Sequence, residues 1–296
     1  MKLSKFSEHQ RHIGIIGHSI NHTLSPAMYT SAFKKLNLDY DYGVMDVSPN
    51  MLPNLIDSLR TLNFRGANVT IPYKEKVIHL VDEVSEEAKM ISAVNTIVNN
   101  NGRLVGYNTD AYGVYISLAY YAEEIKNNYV VIFGAGGAAR AAIYAVAKFF
   151  APKRIMIVNR TLEHAAAIAE ECGPKFRLTK FFSTNDHDVA IREINVASLL
   201  INTTSVGMKP LVNFHPLPPN TVIQKNQLVF DIVYNPIETA LIKVAHHAGA
   251  RTISGIEMLL GQGAKAFELF THHEFPIHTA REVILKELMQ FNGNNK

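Results

Sequence analysis

The run Val130-Val131-Ile132-Phe133-Gly134-Ala135-Gly136-Gly137-Ala138-Ala139-Arg140 limits what this 296-residue chain can fold into more than any other segment. Residues Tyr129 to Ala147 carry one charge, Arg140, and are long enough to suggest a membrane span. The central glycines instead divide the stretch into a buried strand, a tight turn and a packed helix. In that context Gly134 permits the turn, Gly136 lets backbone approach a pyrophosphate, and Ala139 takes the close-packing third position. Gly137 and Ala138 then open a helix whose amino terminus, with Ala135 in the turn before it, faces the anion. The spacing alone is a weak signal, with a purely structural turn as its alternative, and the flanking strand and helix strengthen it.

The next strand is predicted at Arg154 to Val158. A dinucleotide site normally presents an acidic residue to the adenine ribose just after it. Here stand Asn159-Arg160-Thr161. A guanidinium suits a ribose 2′-phosphate, which a carboxylate would repel, so NADP is expected rather than NAD. Arg160 taken alone also reads as a solvated surface charge.

The rest of the chain alternates apolar runs with amphipathic stretches, the pattern of a mostly parallel sheet covered by helices. Strands are predicted at His12 to Gly17, Tyr40 to Val47 and Gly66 to Thr70. Ser25-Pro26 reads as an N-cap and first turn of a helix fading near Asn37, and a second helix runs from about Asn50 to Leu62. Val94 to Val98 and Arg103 to Tyr107 flank Asn99-Asn100-Asn101-Gly102 and read as a hairpin. Thr109 then caps a helix reaching about Lys126. Further strands are expected at Ala197 to Ile201 and Leu228 to Val233, a loop with four prolines at Lys209 to Pro219, and helices at Ile256 to Thr271 and Ile277 to Phe291. Asn292 to Lys296 reads as a frayed tail.

An apolar share of 47% with 19% charged residues supplies two cores, and 29 basic against 26 acidic residues leave no block of charge able to track nucleic acid. Cys172 is the single cysteine, which excludes an intramolecular disulfide and a thiolate metal cluster and suits a reducing compartment. Cys172 is expected to be inert packing. The start Met1-Lys2-Leu3-Ser4 lacks the apolar segment of a secretory signal, so the expected location is cytoplasmic, away from membranes. The histidine pairs His246-His247 and His272-His273, and His18 with His22, lack supporting carboxylates or cysteines at recognisable spacing, and no metal is expected.

Asn68 and Thr70 are polar where a buried strand prefers apolar residues, and Lys74 follows on a proline-stopped loop. Strand ends in open α/β sheets bind ligands, so Lys74 is a candidate, although a lone lysine there also reads as solvated. Asp110 begins a helix, where a carboxylate also compensates the dipole.

His22-Thr23-Leu24-Ser25-Pro26, Asn68-Val69-Thr70-Ile71-Pro72-Tyr73-Lys74, Ala93-Val94-Asn95-Thr96 and Asn108-Thr109-Asp110 together resemble the shikimate dehydrogenase family. So do Gly134-Ala135-Gly136-Gly137-Ala138, Asn159-Arg160-Thr161, Asn202-Thr203-Thr204-Ser205-Val206-Gly207-Met208, Asp231-Ile232-Val233-Tyr234-Asn235-Pro236 and the run Gly255 to Gln262, in the family's order. The resemblance covers roughly residues 12 to 285.

It implies an α/β fold in two parts: a substrate domain over residues 1–115, to which 272–296 return, and a Rossmann NADP-binding domain over 116–271. It also implies Lys74 and Asp110 as the catalytic pair, and Thr23, Ser25, Thr70, Asn95, Tyr234 and Gln262 as substrate contacts. Ile232 and Gly255 would lie beside the nicotinamide. The implied activity is NADPH-dependent reversible reduction of 3-dehydroshikimate to shikimate, on the route to chorismate and the aromatic amino acids, by a monomer or homodimer. Thr23 replaces the family's usual serine, and His164 stands where a second arginine is common. The rival readings are a quinate or dual quinate/shikimate dehydrogenase, possibly using NAD, and a non-catalytic dinucleotide-binding sensor.

Overall fold

The structure, a computed structural model, describes residues 11–20, 23–62 and 64–293. His22, Met1 to Ser4 and residues 294–296 of the expected tail lie outside the described residues. The chain divides into two compact units, Met1–Thr109 with Gly263–Lys296, and Asp110–Gln262. The corresponding limits set from sequence are 115/116 and 271/272.

In the first unit β1 (Arg11–Gly17), α1 (Ser25–Leu36), β2 (Tyr40–Asp46), α2 (Leu52–Thr61) and β3 (Phe64–Val69) form a parallel α/β half. The edge strand β4 (Glu83–Val84) and α3 (Glu86–Ile91) come next, then the hairpin β5 (Thr96–Asn100) and β6 (Arg103–Tyr107). The sheet order is β2-β1-β3-β5-β6-β4, with β5 antiparallel to both neighbours. The Asn-Gly turn forms as its chemistry requires, with φ of 54° at Asn101 and 90° at Gly102. Ile56 and Leu59 of α2 pack with Ala67, Val69, Ile97 and Leu104 under one face of the sheet. Burying each such leucine or isoleucine contributes about 1.5–3 kcal/mol.

The opening of α1 differs from the sequence expectation. Its N-cap is Leu24, with no side-chain cap, and Ser25 is already helical. The Ser25 hydroxyl accepts from Thr23 Oγ1 at 3.2 Å, and the Ser25 N–H donates to Thr23 Oγ1 at 3.3 Å. The helix ends as expected at Asn37, a left-handed C-cap with φ of 51°.

The second unit opens with α4 (Asp110–Leu118) and α5 (Ala122–Ile125), where the sequence predicts one continuous helix. A tighter turn at Ala119–Tyr121 divides the two. Then come β7 (Tyr129–Phe133), α6 (Gly137–Phe150), β8 (Arg154–Val158), α7 (Leu162–Cys172), β9 (Lys180–Thr184), α8 (His187–Val196), β10 (Leu199–Asn202), β11 (Leu228–Asp231), α9 (Ala240–His247) and β12 (Arg251–Ser254). Helix α10 (Gly255–Thr271) starts here and finishes in the first unit, which also contains α11 (Ile277–Gly293).

All six strands of this second sheet are parallel, in the order β12-β11-β10-β7-β8-β9. That is the doubly wound Rossmann arrangement, whose strand order reverses between β7 and β10. Ile132, Ile157, Ile201 and Phe230 are fully buried along it. Cys172 is buried as expected, and desolvation pushes its thiol up to about 11. Among the described residues no helix is long and apolar enough to cross a membrane.

Candidate functional site

The parallel sheet ends on one row. Ser254, Asp231, Asn202, Phe133, Val158 and Thr184 are register partners from β12 to β9. The next residues include Gly255, Ile232, Gly134 and Asn159, so the structure brings these four predicted positions to one end of one sheet. Ligands of doubly wound sheets bind at that end, at the reversal point.

Gly134 has φ of +110°, and a Cβ on it would stand 2.5 Å from Thr203 Oγ1, so only glycine fits. Gly136 is different. A Cβ there would meet nothing within 4 Å, and α6 begins after it without a side-chain cap. Exposed backbone and uncapped N–H groups at Gly137 and Ala138 fit a pyrophosphate, with Ala135 in the turn and Ala139 packed at 0% exposure. Asn159 Nδ2 donates to the Thr161 carbonyl at 2.7 Å, closing the turn that carries exposed Arg160. The guanidinium follows β8 directly, where a ribose 2′-phosphate would be met.

In the first unit the predicted substrate residues also collect at a sheet end. Val69, last in β3, donates its N–H to the Asn95 carbonyl at 2.7 Å, and Thr70 donates its N–H to Ile16 at 2.9 Å. The loop turns at once, with the Tyr73 N–H donating to Thr70, and the Lys74 carbonyl accepts from Val94. Lys74 and Thr70 are half-buried.

A chain of buried polar side chains crosses the sheet beside them. Tyr42 donates to Asn68 Oδ1 at 2.7 Å. Asn68 Nδ2 donates to Thr96 Oγ1 at 3.2 Å, and Thr96 to Asn95 Oδ1 at 3.0 Å. Asn95 Oδ1 also accepts the Thr109 N–H at 2.7 Å. Asn95 is thereby part of one network with Tyr42, Asn68, Thr96 and Thr109, while Thr23 and Ser25 bond to each other. Asp110 follows Thr109 as the first residue of α4 and is 4% exposed.

Tyr234 is half-buried, and burial raises its phenol above the ordinary value. Gln262 lies on α10 with Nε2 donating to the Leu259 carbonyl at 2.9 Å. Helix α10 approaches α4 closely through Gly113, where a Cβ would stand 3.0 Å from the Gln262 N.

Sequence reasoning gave no role to Tyr42, Asn202 or Asp231. A tyrosine in an alternating strand is indistinguishable from packing, but Asn202 and Asp231 had a signal: each ends an otherwise apolar strand with a group that cannot be buried unpartnered. Of the histidine pairs, His246 meets Glu238 and Thr252, His247 the Lys243 carbonyl, His273 the Thr271 carbonyl and His272 the guanidinium of Arg65. No group of three His, Cys, Asp or Glu able to hold a metal occurs among the described residues.

Comparison with known proteins follows this division. Residues 15–97 match the shikimate dehydrogenase substrate binding domain, 118–244 the shikimate/quinate 5-dehydrogenase domain, and 255–285 the shikimate 5′-dehydrogenase C-terminal domain. The NADP+ shikimate dehydrogenase of Carboxydothermus hydrogenoformans is 42% identical over 92% of this chain and 95% of its own. The chain belongs to the shikimate dehydrogenase family. A crystal structure of a shikimate dehydrogenase in complex with NADP+ superposes with a TM-score of 0.88 at 37% identity, over 96% of this chain and 98% of the other. The Listeria monocytogenes enzyme in complex with shikimate and NAD gives 0.85 at 35% identity, over 96% and 99%. The shikimate dehydrogenase fold thus extends over nearly the whole chain.

Proposed function

We propose that this chain is an NADP-dependent shikimate dehydrogenase, reducing 3-dehydroshikimate to shikimate reversibly on the route to chorismate. The observation that carries the reading is the hydroxyl and amide array around Asn95 in the first unit, in a chain whose second unit carries a glycine turn after β7 and Arg160 after β8. The family's NADP+ relatives support the same cofactor. The first unit serves as the substrate domain and the second as the cofactor domain, and the protein acts in the cytoplasm as a monomer or homodimer.

Gly134 to Ala138 receive the pyrophosphate, Asn159-Arg160-Thr161 the 2′-phosphate, and Ile232 and Gly255 flank the nicotinamide. NADPH, when bound, supplies the hydride. Reduction of a ketone leaves negative charge on its oxygen, and the Lys74 ammonium stabilises that charge and delivers the proton. Asp110 is the other member of the catalytic pair and acts with Lys74 in moving that proton. Thr23 and Ser25 hold the substrate carboxylate, while Thr70, Asn95, Tyr234 and Gln262 orient its ring hydroxyls. Directional hydrogen bonds suit a substrate whose faces differ only in hydroxyl placement.

The test is consumption of NADPH with 3-dehydroshikimate by the purified chain, with chromatographic identification of the product. Stoichiometric shikimate is expected. Tight NADPH binding without turnover of any cyclic polyol acid would make the chain a dinucleotide sensor instead.

A further inference from the structure

The Asp231 carboxylate lies at the end of β11 with 0% exposure. Its Oδ1 accepts from Asn202 Nδ2 at 2.8 Å and from the Val233 N–H at 3.1 Å, and its Oδ2 from Thr239 Oγ1 at 2.6 Å. The three donors belong to three segments: the end of β10, the loop after β11, and the residue capping α9.

None of the partners has another orientation open to it. Asn202 Oδ1 accepts the Thr204 N–H at 3.0 Å and the Thr204 hydroxyl at 2.7 Å, while its Nδ2 also donates to the Val206 carbonyl at 3.0 Å. A flipped amide would break all of these. Thr239 Oγ1 accepts the Ile242 N–H at 3.3 Å, which leaves its proton for Asp231.

The network reaches both neighbouring parts of the strand-end row. Thr203 Oγ1 donates to the Phe133 carbonyl at 2.5 Å, against the Gly134 turn. The Ile232 carbonyl lies where a Cβ on Gly255 would be, so the backbone beside Asp231 abuts the start of α10. Burial pushes the carboxyl up to about 6 despite its three donors, so the ionised group costs folding energy. A residue kept at such a cost at a strand end invites a role in ligand binding.

Each half of a doubly wound sheet takes one half of a dinucleotide. Arg160 after β8 assigns the adenine half to β7, β8 and β9, which leaves the strand ends of β10, β11 and β12 for the nicotinamide. We propose that Asp231 is a positioning residue for the nicotinamide half of the cofactor, acting through the backbone of Ile232 and Val233 and the loop at Thr203 to Val206. The inference rests on the NADP-dependent reading above.

The test compares the full-length chain with Asp231→Asn, and Thr239→Val with Thr239→Ser as its hydroxyl-retaining control. Calorimetry measures binding of NADPH and of 2′,5′-ADP, which carries only the adenine half. Kinetics measure kcat, KM and the isotope effect with NADPH deuterated at the transferred position.

Losing a charge-assisted hydrogen bond should weaken NADPH binding or kcat about ten- to a hundredfold in Asp231→Asn, with 2′,5′-ADP affinity within about twofold of the parent and a changed isotope effect. Thr239→Val should follow in the same direction and Thr239→Ser should not. Equal weakening of NADPH and 2′,5′-ADP would reduce Asp231 to a structural role and overturn the proposal, as would unchanged NADPH binding and kcat. If Asp231→Asn does not fold, the Thr239 pair decides by the same criteria. Failure of the parent chain to reduce 3-dehydroshikimate would remove the proposed substrate, and the ratio of the two affinities would still decide the role of Asp231.

Discussion

At the end of the parallel sheet the candidate site is built largely from backbone: a glycine turn, an uncapped helix start and a row of strand ends in register. At the end of the mixed sheet it is built from side chains on and beside β2, β3 and β5, joined through Tyr42, Asn68, Thr96 and Asn95. A further difference lies in charge. The first network is neutral, because burial holds the Tyr42 phenol well above its ordinary value, whereas the second centres on the ionisable Asp231. Backbone recognition suits a phosphate, which every nucleotide shares. Side-chain recognition suits a substrate that must be told apart from its isomers.

The sharpest way to break this comparison is to remove chemistry from the first unit without touching cofactor binding. Lys74→Met keeps the side-chain length and removes the proposed proton donor, so kcat should fall about 10²- to 10⁴-fold while NADPH affinity stays unchanged. A near-normal kcat would remove Lys74 from proton transfer. Asp110→Asn should also lose activity, and the double variant should lose much less than the product of the two single losses if the pair acts as one unit.

The charge difference predicts a pH effect confined to the second network. Asp231 titrates at about 6 in the folded chain against 3.8 as a free side chain, so the folded state holds the proton more tightly. Its contribution to stability is fully present below about 3.8 and is lost as pH rises through about 6. Denaturant unfolding of the parent and of Asp231→Asn should therefore show the parent gaining about 2 kcal/mol relative to the variant between pH 7 and pH 4, the larger part of the two-unit shift. A constant difference would mean that Asp231 does not titrate in this range.

Smaller effects sharpen the backbone side of the contrast. Arg160→Ala should weaken NADP about ten- to a hundredfold and leave NAD nearly unaffected, as loss of a charged hydrogen bond implies. Gly136→Ala has room for its Cβ and should fold, with a loss of pyrophosphate binding that affects NADP and NAD alike. Equal losses in Arg160→Ala would contradict the 2′-phosphate assignment. The smallest expected effect is at Thr23, where Thr23→Ala should raise the KM for shikimate about two- to tenfold with little change in melting temperature. Because Ser25 is no cap, Ser25→Ala should behave likewise, and a stability loss without a KM change would return it to a purely structural role.

The same contrast explains what could be read from the sequence. The glycine turn, the apolar strands β7, β8, β10 and β11 and the Asn101-Gly102 hairpin turn are local patterns with local causes, and they stand where the pattern puts them. The strands β4, β9 and β12 escaped because they are sheet edges, short and partly exposed, with polar residues such as Lys180 and Arg251 at their starts. Helix α3 carried a readable start in Ser85, whose side chain accepts the Ala88 N–H, followed by Glu86 and Glu87, but only six residues of periodicity. Ser25 failed as a cap because it is already the first helical residue, with Leu24 at the N-cap. Asp231 was visible as part of a motif, and its role depends on Asn202 and Thr239, which only the fold brings together.

One set of steady-state kinetics tests the proposed function most directly, with shikimate and quinate each offered with NADP and NAD. Hydroxyl recognition in the first unit and Arg160 in the second predict that kcat/KM is highest for shikimate with NADP, with losses on exchanging either partner. Quinate with NAD as the best pair, or no turnover with any of the four, would contradict it.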